Sequence, residues 1–270
     1  MSNSPLNKLR QMSTLVRELG MGPSLTCLKH RPLLRSGLKK PPVLLRTKLA
    51  LHPLFCRPGT SDFDAFNLIF LKREFRCLGE VTDPSLIVDC GANVGYASAF
   101  FLSRFPGSTV IAVEPDPGNF TLLRRNLAPY GPRAQVRQAA IWSHPTRLVL
   151  SSDAFRDNRE WSRQVRPARD HEIATVVGID LGTLLRESGR PRIDLLKVDI
   201  EGSEAELFSG HLESWLHAVA TLAIELHDDR CREIFRRALQ GGNMHCAVRG
   251  EWTICRRHGF LGGTGKPARS

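Results

Sequence analysis

The sequence predicts an α/β fold: a largely parallel sheet with helices on both faces. Three observations point there. From residue 86 onward, short β-branched runs alternate with helical segments, the rhythm of βαβ units. The buried-type run LIVDC (86–90) ends in a glycine-rich turn that opens a helix. At 270 residues, the chain suits one large α/β domain with appendages.

The elements follow in order. Leu6, Leu9, Met12, Val16 and Leu19 recur at helical spacing, predicting a short amphipathic helix ended by Gly20 and Gly22-Pro23. A proline-punctuated stretch runs on to Pro42. VLLRTKLAL and HPLFCRPG then predict a hairpin, and Ser61 or Asp62 is placed to cap a helix carrying Phe63, Phe66, Ile69 and Phe70 on one face. Strands are expected at 86–90, 109–114, 134–140, 193–199 and 220–226, with helices near 95–105, 117–128, 203–216 and 230–240. Runs 243–248 and 251–255 fit an antiparallel pair at a sheet edge. Residues 151–171 are polar and aperiodic, as a surface insertion or lid is.

Charge is segregated. The net +11 is concentrated in residues 1–60, where eleven Lys or Arg face the single acid Glu18; the remainder is nearly neutral at +1. A basic leader is drawn to phosphate, anionic lipid or an acidic substrate, or is simply a solvated extension. No apolar run reaches the roughly 18–20 residues of a membrane span, and the start lacks a signal-peptide pattern. The expectation is a cytoplasmic protein whose leader suits peripheral contact with an anionic inner-membrane surface. Seven scattered cysteines without a Cys-x-x-Cys argue against a disulfide framework, a zinc site and a radical iron–sulfur centre, so reduced thiols are expected.

The turn Gly91-Ala92-Asn93-Val94-Gly95 after Asp89 lets backbone approach a ligand at a helix N-terminus. It lacks the Gly-x-Gly-x-x-Gly of dinucleotide sites, which weakens a nicotinamide reading. Glu114, at the tip of the second strand, is placed to accept hydrogen bonds from two ribose hydroxyls.

The blocks VDCGANVG (88–95), AVEPDP (112–117), AAIW (139–142), IDLLKVDIEGSE (193–204) and AIELHDD (223–229), in this order, resemble the FkbM-type class I methyltransferases. RPGTSDFDAF (57–66) is similar to the stretch preceding the core in that family. The resemblance implies a Rossmann-like seven-stranded class I methyltransferase sheet with S-adenosylmethionine across the carboxyl ends of its strands. It implies that Asp89 contacts the methionine end directly or through water, that Gly91, Ala92, Asn93 and Gly95 line its back, that Glu114 holds the ribose, and that Asp116, Ala140 and Ile141 border the adenine. The expected organisation is a basic N-terminal extension (1–54), a methyltransferase domain (55–257) and a tail (258–270).

Transfer of a methyl group to a hydroxyl needs alignment and removal of a proton. Lys197 and Asp199 lie two apart on one face of a strand, Glu201 follows in the turn, and Glu225 and His227 repeat the spacing at the next strand's end. His227 is the favoured base, because an ordinary histidine pKa near 6.5 suits proton transfer. Lys197 serves equally as a structural partner of Asp199 or Glu225. The same Asp/Glu/His set could hold a divalent cation, a reading not favoured, and no residue is assigned to a metal. The expected reaction is O-methylation of a hydroxyl on a glycan, lipid-linked sugar or secondary metabolite. A nucleic-acid methyltransferase and a non-catalytic cofactor-binding or membrane-docking protein are the alternatives; spacing alone does not identify the acceptor.

Overall fold

A computed structural model describes residues 13–34, 38, 40–151, 159 and 163–259. Helix α1 (13–19) leads through Gly20 into a second helix, α2 (Met21–Leu34). This corrects the expected loop: Pro23 falls in the first turn, where a missing N–H costs no helical bond. The start of the predicted leader helix, Leu6 to Met12, lies outside the described residues. Strands β1 (Val43–Leu45) and β2 (Leu54–Cys56) form the expected hairpin. Helix α3 (Asp62–Phe66) continues into a π-helical turn (Asn67–Leu71) and a 3₁₀ turn (Glu74–Leu78). Ser61 takes the N-cap position of α3, where its carbonyl accepts from Asp64 N and Ala65 N without a side-chain cap bond, and the Asp62 carboxylate is bound by Arg57.

The core alternates as expected: β3 (Leu86–Cys90), α4 (Tyr96–Arg104), β4 (Thr109–Val113), α5 (Pro117–Leu127) and β5 (Ala134–Arg137). The chain then leaves the main sheet. β6 (Ala140–Ile141), β7 (Thr146–Leu150), β8 (Val165–Pro167) and β9 (Val176–Ile179) form a separate sheet in the order β6-β9-β7-β8. The predicted strand 134–140 therefore divides between two sheets, and the stretch expected to be aperiodic contains β8. Its residues 152–158 and 160–162 lie outside the described residues. Helix α6 (Leu181–Ser188), capped by Asp180, returns the chain to β10 (Ile193–Val198). Only Glu204–Leu207 of the predicted helix 203–216 is α-helical (α7), since His211 takes a left-handed φ of 57° that breaks it. Then come β11 (Val219–Glu225), α8 (Asp229–Ala238), β12 (Met244–Arg249) and β13 (Trp252–Arg257).

The main sheet has seven strands in the order β12-β13-β11-β10-β3-β4-β5. It is parallel from β11 to β5, and β13 runs antiparallel to both its neighbours. Order reverses between β3 and β10, so their carboxyl ends open a crevice, the usual ligand position in such sheets. Period-two alternation sends Ile87, Val110 and Leu195 into one apolar cluster and Val88, Ile111 and Leu196 into the other. Leu15, Leu19, Cys27 and Leu34 of the leader are buried in the first cluster, and buried Glu18 is paired with Arg17 and Arg73. Cys246 and Cys255, opposite each other on β12 and β13, form a disulfide. That overturns the expectation of uniformly reduced thiols; the strand register, invisible in scattered spacing, brings the two together. No described helix is long and apolar enough to cross a membrane.

Candidate active site

A cleft of about 520 Å³ opens at the carboxyl ends of β3, β4, β10 and β11, within the range of small-molecule sites. One half is built by the glycine-rich turn. Gly91 N and Ala92 N donate to Val113 O, locking the turn to β4, and Asn93 is held at a left-handed φ of 49°. The Glu114 carboxylate accepts from Asn93 N (2.8 Å) and Asp116 N (2.9 Å). Burial pushes its pKa up to about 7, partly countered by those two hydrogen bonds. Of the residues expected at the donor, Gly91, Ala92, Asn93, Glu114, Ala140 and Ile141 line the cleft.

Three predicted donor residues stand elsewhere. Asp89 is fully buried behind the lining, accepting from Ser98 Oγ (2.6 Å) and lying 3.2 Å from Lys197 Nζ. Gly95 holds a left-handed φ of 85°, and a Cβ there would stand 3.3–3.4 Å from Leu127 and Leu123, so glycine lets α4 start close to α5. Asp116 caps α5 through Asn119 N and pairs with Arg163 at 2.8 Å. Arg163 itself lines the cleft and went unnoticed in the polar segment.

The other half gathers the predicted ionisable residues. Lys197 Nζ donates to Gly91 O (2.8 Å) and lies 3.6 Å from Asp199. Burial acts against its charge, but Asp89 and Asp199 outweigh that and raise its pKa, so it stays an ammonium at the cleft floor. Asp199, Glu201 and Glu225 line the wall, Glu201 at a left-handed φ of 53°. His227 does not line it: its side chain is fully buried behind these carboxylates. Nδ1 is 2.9 Å from Glu204, and Nε2 faces Asp199, Glu201 and Glu225 at 3.5, 3.5 and 3.6 Å. Burial opposes its charge, yet the bond to Glu204 and the charges of Glu204, Asp199 and Glu201 lift its pKa to about 9. His227, expected as the base, thus stands behind the cleft lining, while Asp199, Glu201 and Glu225 reach it.

Sequence reading also passed over Glu204, although it closes the block IDLLKVDIEGSE. Fully buried, it accepts from Ile200 N (3.0 Å) and Gly202 N (2.9 Å) as well as facing His227. It thereby holds the turn that carries Glu201. Glu74, Glu251 and Trp252 complete the cleft wall from segments with no motif to announce them. Burial, reinforced by the Asp199 charge, raises the Glu74 pKa to about 8.

Residues 89–248, more than half of the chain, match the profile of the methyltransferase FkbM domain. The chain belongs to the FkbM methyltransferase family. Among relatives, methyltransferase sdnD of Sordaria araneosa is 31% identical over 168 residues, covering 52% of this chain and 65% of that one. The 31-O-demethyl-FK506 methyltransferase FkbM of Streptomyces tacrolimicus is 26% identical, covering 63% and 76%. The hexuronic acid methyltransferase AglP of Haloferax volcanii is 27% identical, covering 56% and 59%. The chain thus spans roughly three fifths to three quarters of these FkbM-related proteins. The cleft lining from Gly91 to Glu225 falls inside the FkbM match, whereas Glu74, Phe75, Glu251 and Trp252 lie outside it.

Proposed function

We propose that the chain transfers the methyl group of S-adenosylmethionine to a hydroxyl oxygen of a sugar or small-molecule acceptor. The observation that carries this is one cleft lined both by Glu114 beside the Asn93 turn and by Asp199, Glu201 and Glu225 at the adjoining strand ends. The donor half fits a nucleoside: Glu114 is a buried carboxylate on the cleft wall, and the Asn93 Oδ1 is buried without a hydrogen-bond partner. When bound there, S-adenosylmethionine supplies a methyl carbon on a positively charged sulfur.

Glu114 would hold the ribose, with Ala140 and Ile141 against the adenine. Asp199 and Glu225, lining the cleft and partly exposed, would bind the acceptor hydroxyl and take its proton as the new C–O bond forms and the C–S pair returns to sulfur. Lys197, tied to Gly91 O and Asp89, would fix the donor turn relative to Asp199. One relative is named for 31-O-demethyl-FK506 and another for a hexuronic acid, which supports an oxygen acceptor. The carboxylate-rich lining argues against a polyanion such as nucleic acid. Contact of the basic leader with anionic lipid is a separate proposal, checked by cosedimentation with phosphatidylglycerol vesicles.

The test is a panel of hydroxylated sugars and alcohols incubated with S-adenosylmethionine, reading S-adenosylhomocysteine release. Asp199→Asn should lower turnover by about 10²–10⁴ while leaving donor affinity within a few-fold. Failure of the wild-type chain to bind S-adenosylhomocysteine, or tighter binding of NAD, would overturn the assignment.

A further inference from the structure

The cluster behind the acceptor half has an unusual geometry for a purely structural network. His227 Nε2 is fully buried and makes no hydrogen bond, although three carboxylates surround it. Each stands 3.5–3.6 Å away, beyond a good N–H···O bond of about 2.9 Å. Atoms sharing one cation at about 2.0–2.2 Å stand roughly 3.0–3.5 Å apart, close to the observed spacing. Asp199, Glu201 and His227 can each offer one ligand atom with all three inside 4.8 Å of one another.

The opposite face of the ring is already fixed. Nδ1 meets Glu204, whose carboxylate is anchored by Ile200 N and Gly202 N. A carboxylate on Nδ1 with Nε2 left facing a ligand set is the arrangement that orients metal-bound histidines. Glu201 sits at a left-handed φ and is brought to the ring by that same anchored turn.

We infer that Asp199, Glu201 and His227 form a divalent-cation site, with Glu225 beside it and Glu204 as the positioning residue. This reverses the preference drawn from sequence, where spacing did not distinguish a base from a ligand. Two carboxylates and one imidazole suit Mn²⁺, with Mg²⁺ as an alternative occupant. The inference rests on the methyl-transfer reading of the same cleft and deepens it. A cation there would draw in the acceptor oxygen and make its proton easier to lose to a neighbouring carboxylate.

The experiment is a Mn²⁺ titration of the full chain after chelator treatment and desalting, read by loss of the free-ion electron paramagnetic resonance signal. Competition with Mg²⁺ and a parallel S-adenosylhomocysteine titration accompany it. The wild type should bind one Mn²⁺ per chain. Asp199→Asn and His227→Gln should each weaken that binding by more than about tenfold, and Glu204→Gln by about tenfold, with S-adenosylhomocysteine affinity kept within a few-fold. That retained affinity also reports that the variants are folded. Absence of Mn²⁺, Mg²⁺ or Zn²⁺ binding at millimolar concentration, or equal binding by folded variants, overturns the cation site. S-adenosylhomocysteine binding without cation binding sinks only this inference. Cation binding without S-adenosylhomocysteine binding upholds the site and sinks the methyl-transfer reading.

Discussion

Gly91 and Asp199 meet backbone to backbone: a Cβ on Gly91 would stand 1.8 Å from the Asp199 carbonyl oxygen. Asp199 N also donates to Cys90 O at 3.1 Å, and Gly91 holds a φ of 74° that favours glycine. The donor turn and acceptor cluster therefore share one contact. Gly91→Ala should destabilise the protein by at least about 1–3 kcal/mol from backbone strain alone, and weaken both donor binding and turnover. Thermal unfolding with S-adenosylhomocysteine calorimetry checks both effects; a variant with wild-type stability and affinity would show that the contact relaxes freely.

Glu114 predicts a pH dependence. Burial raises its folded pKa to about 7, above its ordinary value of 4.5. The folded apo-protein thus holds this proton where the unfolded chain has lost it. From this group, stability falls as pH climbs from 4.5 to 7, and below 4.5 its penalty vanishes. Donor binding uses the ionised form, so affinity should rise over the upper part of that interval, by up to about tenfold per unit below pH 7. Glu114→Gln should flatten the profile, and Glu114→Ala should cost about 1.5–3 kcal/mol of binding at pH 8. Calorimetry between pH 5.5 and 8.5 is the measurement.

Lys197 and Asp89 predict a large stability effect. Both are buried, and removing the ammonium leaves the Asp89 carboxylate inside with, among the described residues, only Ser98 Oγ donating to its side chain. Lys197→Met should destabilise by about 3–5 kcal/mol in urea unfolding at pH 7. Lys197→Met with Asp89→Leu should recover part of the loss, whereas equal loss in the double variant would show that packing, not charge, is responsible.

Asp62 predicts a smaller effect on the donor half. Its carboxylate accepts from Arg57 N, Nε and Nη2, and Arg57 Nη2 also donates to Asn119 Oδ1 on the cleft wall. Asp62→Ala should cost about 1.5–3 kcal/mol of stability and weaken S-adenosylhomocysteine binding several-fold. Unfolding midpoints and calorimetry decide it.

The parallel core was legible because β-branched runs and helical segments alternate plainly; β3, β4, β10 and β11 lie within a residue of their expected bounds. The edge pair β12–β13 was equally plain. Helix α2 was not, because proline reads as punctuation although Pro23 sits harmlessly in a first turn. The β6–β9 sheet was missed since its strands are two to five residues long and defined only by pairing. Site residues on strand tips could be read from two-residue spacing. Depth could not: Asp89, Glu204 and His227 carry the same letters as surface residues, and only tertiary packing buries them. Arg163, Glu74 and Glu251 reach the cleft from distant segments that no local pattern connects.

Glu74 and Phe75 precede the family match, and Glu251 and Trp252 follow it, yet all four form part of one cleft wall. Glu251 and Trp252 arrive on a tight reversal at the sheet margin, and Glu74 and Phe75 on a single short turn. Two brief peptides outside the match thus complete the cleft, anchored to it by Phe75 and Trp252, which pack against each other in the core. Grafting these two segments between relatives, with acceptor preference and S-adenosylhomocysteine affinity read side by side, checks whether this wall decides which acceptor is taken.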